Sequence, residues 1–321
     1  MFAAVSENIS VGAFARDVAE GLMNGARKTL PSSWLYDEVG SKLFEVITLL
    51  PEYGLTRADA ALLRSAAGEI IAMADEPRHI IELGSGTGTK TRYLLEAAAA
   101  LRDVTYLPID ISGAALNACA DALEKVEGVN VQPVEAAYLD GVERALLKRR
   151  VNERALVLFL GSTIGNFTTA EAAEFLGAVR EKLAPGDCLL LGADLVKPRE
   201  KLIRAYDDSL GVTAAFNLNL LERINRELGG EFVLRRFAHE ARYEECHSRI
   251  EMHLRSRSSQ RVWIGALDRA VIFEEGETIW TESSHKFRPR EIAAIGEKAG
   301  WTTESQWIDA EWGFSETLFR A

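Results

Sequence analysis

Cysteine is scarce in this chain: Cys119, Cys188 and Cys246 are the only three in 321 residues, scattered and odd in number. That excludes a disulfide framework and makes a reducing compartment the natural setting. Long apolar runs are missing too, and none approaches the roughly 20 residues that span a bilayer. The opening Met-Phe-Ala-Ala-Val-Ser-Glu-Asn lacks the basic flank and apolar centre of a secretory signal. A soluble, cytoplasmic protein is the expectation. Positive charge is in deficit, with 37 Lys and Arg against 48 Asp and Glu for a net charge of -11. Such a surface repels phosphate backbones and argues against a nucleic acid substrate. Cys246, His247 and His253 lie in strand-like sequence without a fourth ligand, so no metal site is expected. There is no internal repeat and no low-complexity tract. What remains is 47% hydrophobic and 26% charged, an ordinary globular composition long enough for one large domain or two moderate ones.

The most informative stretch is His79-Ile-Ile-Glu-Leu-Gly-Ser-Gly-Thr-Gly-Thr-Lys-Thr91. A buried apolar run precedes three glycines at alternate positions, Gly84, Gly86 and Gly88, and helical sequence follows. Strand, glycine turn and helix let a nucleotide-like cofactor lie against bare backbone. Glu82, inside the strand end, needs a partner if buried. A dinucleotide fingerprint reads G-x-G-x-x-G, but here the third glycine comes one residue early and Thr89 fills its place. The spacing therefore disfavours a NAD-type dehydrogenase. Glu-x-Gly-x-Gly-x-Gly resembles the first motif of S-adenosylmethionine (SAM) methyltransferases.

Strands are expected at 79–83, 104–109, 129–134, 155–160 and 188–191, with helices at 60–73, 112–126 and 169–183 between them. Ala155-Leu-Val-Leu-Phe-Leu160 is uninterrupted, as in a central parallel strand covered on both faces. The alternation argues for an α/β fold, a doubly wound parallel sheet. It then breaks: 197–228 reads as helix, and 232–264 alternates like half-buried antiparallel strands. A helix at 289–299 and strands near 303–308 and 314–319 close the chain, as in a class I SAM-methyltransferase core. Residues 57–196 with 287–321 are expected to form that core. Residues 1–56 with 197–286 then form an inserted α+β substrate-binding, lid-like domain.

Asp110 ends the second strand, 26 residues after Gly84, where an acid can accept both hydroxyls of a ribose, a reading that its agreement with Glu82 and the glycines favours over a cap on the following helix. Lys90 reads either as a cofactor contact or as a solvated surface lysine. Leu160-Gly-Ser-Thr-Ile-Gly-Asn166 lets a substrate approach a strand end and meet the Asn166 amide, although Asn166 could instead cap the helix near Thr169. Glu282 and Ser284, in Thr281-Glu-Ser-Ser-His285, read on their own as plain turn or strand residues. His285 reads as a packed or surface histidine.

Taken together, the residues resemble the histidine Nα-methyltransferases of ergothioneine biosynthesis, which make hercynine. The likeness runs nearly end to end. It is carried by Trp34-Leu-Tyr-Asp-Glu-Val-Gly-Ser41, Leu50-Pro-Glu-Tyr53 with Thr56-Arg57, and Glu82-Leu-Gly-Ser-Gly-Thr87 with Lys90-Thr-Arg92. Phe159-Leu-Gly-Ser-Thr-Ile-Gly-Asn166, Arg204-Ala-Tyr-Asp-Asp208 with Thr213-Ala-Ala-Phe-Asn217, and Lys286-Phe-Arg-Pro289 continue it. The resemblance implies SAM contacts at Tyr36, Gly84, Gly86, Lys90 and Asp110. Asn166 and Tyr206 would hold the substrate carboxylate, with Gly161 by the amine. Tyr53, Glu282 and Ser284 would read the imidazole, with Met252 beside it. Phe44, with Tyr36, would lie by the methylated nitrogen. Where this family commonly has Asp-Phe, meeting the adenine amino group, this chain has Ala137-Tyr138: Tyr138 keeps a stacking or backbone contact and the carboxylate is missing. The expected partner is a small amino acid, with no metal, membrane or nucleic acid, and the expected state is a monomer. Methylation of another amino acid such as tryptophan, or SAM binding without catalysis, are the alternatives. No general base is identified; Tyr36 or a water could serve.

Overall fold

The computed structural model describes residues 2–25, 27–150 and 153–321, with side chains from residue 12 onward. The chain divides into two compact units, Met1–Gly54 with Lys197–Ser284 and Leu55–Val196 with His285–Ala321.

The second unit is built on an eight-stranded sheet. Its order is Thr302–Asp309, Phe314–Arg320, Cys188–Asp194, Ala155–Phe159, His79–Leu83, Val104–Asp110, Val129–Val131, and Val134–Glu135 also pairs with Val104–Asp110. The pairings from Cys188–Asp194 through Val129–Val131 are parallel. The two C-terminal strands add an antiparallel edge. Neighbours along each central strand feed opposite cores: Ile81, Val157 and Leu189 to one, Ile80, Leu156 and Leu190 to the other. Helices Tyr138–Leu146, Thr169–Lys182 and Pro289–Lys298 seal the first face through Val142, Leu176 and Ile292. Helices Leu55–Met73, Arg92–Ala99 and Gly113–Leu123 seal the second through Ile70, Leu94 and Leu123. Burial on both faces is why these strands carry no polar alternation.

Strand order reverses between His79–Leu83 and Ala155–Phe159. Ligands bind at the carboxyl ends of strands flanking such a switch point. The glycine turn at 84–88 leaves one of these strands and the Gly161–Asn166 turn leaves the other. The third strand departs from expectation. Pro133, which has no N–H to give a ladder, splits the 129–134 segment into Val129–Val131 and Val134–Glu135.

The first unit is organised around helix Val212–Leu228, which buries Phe216, Leu220, Leu221, Ile224 and Leu228. A four-stranded sheet lies in the order Lys28–Thr29, Thr278–His285, Arg249–Ser256, Phe237–Glu244. Gln260–Ile264 and Arg269–Phe273 form a separate antiparallel hairpin. The helical stretch expected over 197–228 is two helices, Arg199–Tyr206 and Val212–Leu228. Gly211 takes a φ of +74°, and the Asp208 carboxylate accepts the N–H groups of Val212 (3.0 Å) and Thr213 (2.7 Å). An anion satisfying the exposed amides of a helix start favours a new helix over continuation of the old one. Among the described residues no helix is long and apolar enough to cross a membrane.

Candidate active site

In the sheet-based unit, the backbone at the head of the glycine turn is tied to the neighbouring strand, the Gly84 N–H donating to the Ile109 carbonyl at 2.8 Å. Gly84, Gly86 and Gly88 have φ of 68°, 53° and 67°, a region that favours glycine. They differ in surroundings. A Cβ on Gly84 would lie 2.9 Å from the Tyr138 hydroxyl and one on Gly88 2.7 Å from Cys119 Sγ, while one on Gly86 would meet nothing within 4 Å. The outer glycines are bare because side chains crowd them. Gly86 offers bare backbone to open space, which suits a bound cofactor.

Beneath this turn Glu82, 1% exposed, accepts hydrogen bonds from the Thr91 hydroxyl (2.7 Å) and the Tyr106 hydroxyl. The buried carboxylate thus has the partners it requires. Burial nevertheless pushes its pKa up to about 7, against the pull of Tyr106, Lys90 and Thr91. Asp110 ends its strand and accepts the Ser112 N–H through Oδ1 at 2.9 Å. Ser112, not Asp110, caps the next helix, accepting the Ala115 N–H. Burial raises the Asp110 carboxyl while the Ser112 and Ile111 amides draw it back. Tyr138 packs edge-on against Phe159 and Phe175, with centroids 5.8 and 6.0 Å away. Burial, then the Asp110 charge, lifts its phenol to about 12, so it stays a neutral hydroxyl over Gly84.

Lys90 is no surface lysine: its ammonium pairs with Asp59, which is 0% exposed. The same Asp59 oxygen accepts the Gly161 N–H at 3.0 Å. Gly161 and Ser162 have φ of +72° and +60°, and Ser162 Oγ accepts the Asp194 N–H. Asn166 closes the short 3-10 turn Thr163–Asn166 and is exposed. It does not cap the following helix; Thr168 and Glu171 form a reciprocal capping box there. His285 is buried, with Nδ1 3.0 Å from the Gly165 carbonyl.

In the other unit five aromatic rings form a connected cluster. Tyr36 meets Phe44 and Phe216 edge-on at 5.5 and 5.4 Å. Phe44 meets Tyr53 at 6.2 Å, and Tyr53 meets Tyr206 at 6.1 Å. The Tyr206 hydroxyl then donates to Ser284 Oγ at 2.8 Å. Glu282 is two residues before Ser284 on strand Thr278–His285, so both project from one face. Its carbonyl is held by the Trp280 indole N–H at 2.8 Å. Met252, on the neighbouring strand, is buried, and its carbonyl accepts the Thr281 hydroxyl at 3.0 Å. Tyr36, Phe44, Tyr53, Tyr206 and Ser284 therefore belong to one continuous cluster. Among the described residues, no three His, Cys, Asp or Glu side chains are arranged to hold a metal ion.

Against this geometry, the described family of histidine-specific, SAM-dependent methyltransferases matches residues 14–321. The chain belongs to that family. It is 45% identical over 311 residues to the histidine N-alpha-methyltransferase of Mycolicibacterium smegmatis, covering 95% of this chain and 94% of that protein. The Mycobacterium tuberculosis enzyme of the same name is 44% identical over 310 residues, with the same coverage. Ergothioneine biosynthesis protein 1 of Neurospora crassa is 31% identical over 271 residues, covering 79% of this chain and 31% of that protein. This methyltransferase is thus a SAM-dependent enzyme with a doubly wound sheet.

Sequence reasoning missed two groups in this methyltransferase. Asp59 and Glu316 are fully buried acids behind Lys90 and Gly161. Their one signal was an acid at a core position, Asp59 in an otherwise apolar helix face and Glu316 in a strand of buried residues. His239 holds the Tyr206 carbonyl at 2.7 Å through Nε2, with Nδ1 3.0 Å from the Asn217 amide. Asn217 lies in a motif quoted above, but nothing in sequence ties it to residue 239.

Proposed function

We propose that this methyltransferase transfers three methyl groups in succession to the α-amino nitrogen of L-histidine, giving hercynine in ergothioneine biosynthesis. The observation carrying the reading is the Tyr206 to Ser284 hydroxyl bond on the face that also presents Glu282, in a chain of the histidine-specific family. SAM supplies a methyl group already activated by cationic sulfur, so alignment and an unprotonated amine are what the protein must provide.

Bare backbone at Gly84 and Gly86 and the Asp110 carboxylate form the proposed cofactor cradle, with Tyr138 over Gly84. Asp110 has chemistry suited to ribose hydroxyls, and Gly86 leaves the room the cofactor needs. Lys90 and Tyr36 complete the proposed set. In the unit of residues 1–54 and 197–284, proposed as the substrate-binding unit, Tyr206 is assigned to the substrate carboxylate, and Asn166 is the second residue proposed for that role. Glu282 accepts an imidazole N–H, a bond to a charged group of roughly 1.5–3 kcal/mol. Ser284, Tyr53 and Met252 complete that pocket. An amino acid without a ring N–H would leave Glu282 unpaired and be rejected. Tyr36 and Phe44 offer aromatic faces to the growing ammonium charge, worth about 0.5–2 kcal/mol, and Gly161 gives the nitrogen backbone without a side chain.

Mass spectrometry after incubating enzyme, SAM and histidine is expected to show one, two and three added methyl groups. Consumption of tryptophan in preference to histidine would overturn the reading. Glu282→Ala is expected to impair histidine use at least tenfold more than cofactor binding, the scale of one charged hydrogen bond. Equal losses would make Glu282 structural.

A further inference from the structure

Glu316 lies on strand Phe314–Arg320 opposite Gly192, with 0% of its surface exposed. A Cβ on Gly192 would come 2.9 Å from Glu316 Oε1 and 3.3 Å from the Gly161 amide nitrogen, so the bare residue makes room where the acid meets the Gly161 turn. Leu318, two residues on, packs into the core sealed by helix Leu55–Met73, and Glu316 projects from that same face. No N–H or O–H donor among the described residues reaches either Glu316 oxygen or Asp59 Oδ1. The two carboxyls meet at the Gly161 turn: Asp59 Oδ2 accepts the Gly161 N–H at 3.0 Å, and the Gly192 Cβ position borders both that nitrogen and Glu316 Oε1. Two buried acceptors can be joined only by a proton, since like charges in contact cannot both ionise in a water-excluded site. Asp59 Oδ2 already takes the Lys90 ammonium and the Gly161 N–H. The proton therefore belongs to Glu316, whose carboxyl is pushed well up by burial and the Asp59 charge, with Glu82 adding and Lys90 opposing.

We propose that Glu316 is a positioning residue for methyl transfer: as a neutral acid it donates to Asp59 and fixes that carboxylate. Asp59 in turn holds Lys90 and the Gly161 amide, so a proton buried behind the strand ends sets the backbone proposed to receive the amine. The inference rests on the proposed function for the role of Gly161. The proton itself does not depend on that role.

Two variants of the full chain separate these points. Glu316→Gln keeps a neutral donor of the same shape, and Glu316→Met keeps the volume without the donor. Infrared difference spectra in D2O, well above pH 7 where Glu82 is ionised, are expected to show a protonated carboxylic acid band in the wild type that Glu316→Gln removes. Glu316→Gln should keep kcat within about twofold, while Glu316→Met should lose about tenfold or more, as for one hydrogen bond to a charged group. Thermal midpoints of both should stay above the assay temperature. Equal kcat in the two variants, or a band unchanged by Glu316→Gln, would overturn the proposal. Wild-type enzyme inactive on histidine would refute the proposed function instead, leaving the infrared comparison to stand by itself.

Discussion

Glu82 gives this protein a pH dependence of stability that can be worked out in advance. Its carboxyl is 1% exposed, and burial raises it from 4.5 to about 7. Between those values the folded protein keeps a proton that the unfolded chain releases. The contribution of protonated Glu82 is therefore complete below about pH 4.5, declines as pH rises, and is gone above about 7. At roughly 1.4 kcal/mol per pH unit, the rise from 4.5 to about 7 amounts to about 3.5 kcal/mol. Glu82→Gln removes the proton equilibrium but keeps an Oε1 acceptor for the Thr91 and Tyr106 hydroxyls. The stability difference, Gln minus Glu, should accordingly move in favour of the variant by about 3.5 kcal/mol over this interval. Urea unfolding of the ligand-free protein at stepped pH measures it, with hydrogen exchange along His79–Leu83 as the local readout. Taking the difference cancels every other titrating group that the substitution leaves alone. A difference that stays flat across the interval would refute the reasoning, because Glu82 would then be ionised throughout.

Gly84→Ala and Gly86→Ala both place a methyl on positive-φ backbone, at about 1–2 kcal/mol of strain, but only the first strikes the Tyr138 hydroxyl. Thermal midpoints should show Gly84→Ala losing more stability than Gly86→Ala, calorimetry with S-adenosylhomocysteine should show Gly86→Ala losing more binding, and Tyr138→Phe should partly restore the stability of Gly84→Ala in a double-mutant cycle. His239 needs a neutral ring with its proton on Nε2 to serve the Tyr206 carbonyl and accept from Asn217. Burial lowers its pKa below 6.5, against the Tyr206 carbonyl and the charges of Asp207, Asp208 and Glu240. Its contribution is present above 6.5 and lost as pH falls toward the lowered value. The thermal midpoint of wild type should drop faster than that of His239→Gln below pH 6.5, and parallel curves would count against this role.

The parallel sheet was readable because burial on both faces writes itself locally, as in Ala155–Phe159, and glycine spacing likewise betrays a turn without reference to distant residues. Asp110 was readable for the same reason, as an acid ending a strand. What stayed hidden depends on pairing. Lys28–Thr29 is a strand only because Ile279 and Trp280 lie beside it, and two residues carry no period. The break at 207–211 turns on the Asp208 carboxylate folding back on Val212 and Thr213, a choice that helical spacing does not record.

The residues proposed to read the substrate are the sharper case. Glu282 and Ser284 sit in a strand with no signature, and only family resemblance singled them out. The structure supplies a physical reason for one of them: Ser284 is joined to Tyr206 across 78 positions, and the Tyr206 backbone is in turn held by His239. Single-position reasoning weighs a polar residue by its neighbours in sequence, so it ranks Ser284 as turn chemistry and Asp59 and Glu316 as errors in an apolar pattern. Buried polar groups do not persist as errors, because each must find a partner or lose about 1–3 kcal/mol. An acid at a core position is thus evidence of a second residue elsewhere, and sequence alone withholds only which one. For Asp59 the answer is Lys90 and Gly161, with Glu316 as the proposed third partner, which places the least conspicuous residues of the chain directly behind the backbone proposed to receive the amine.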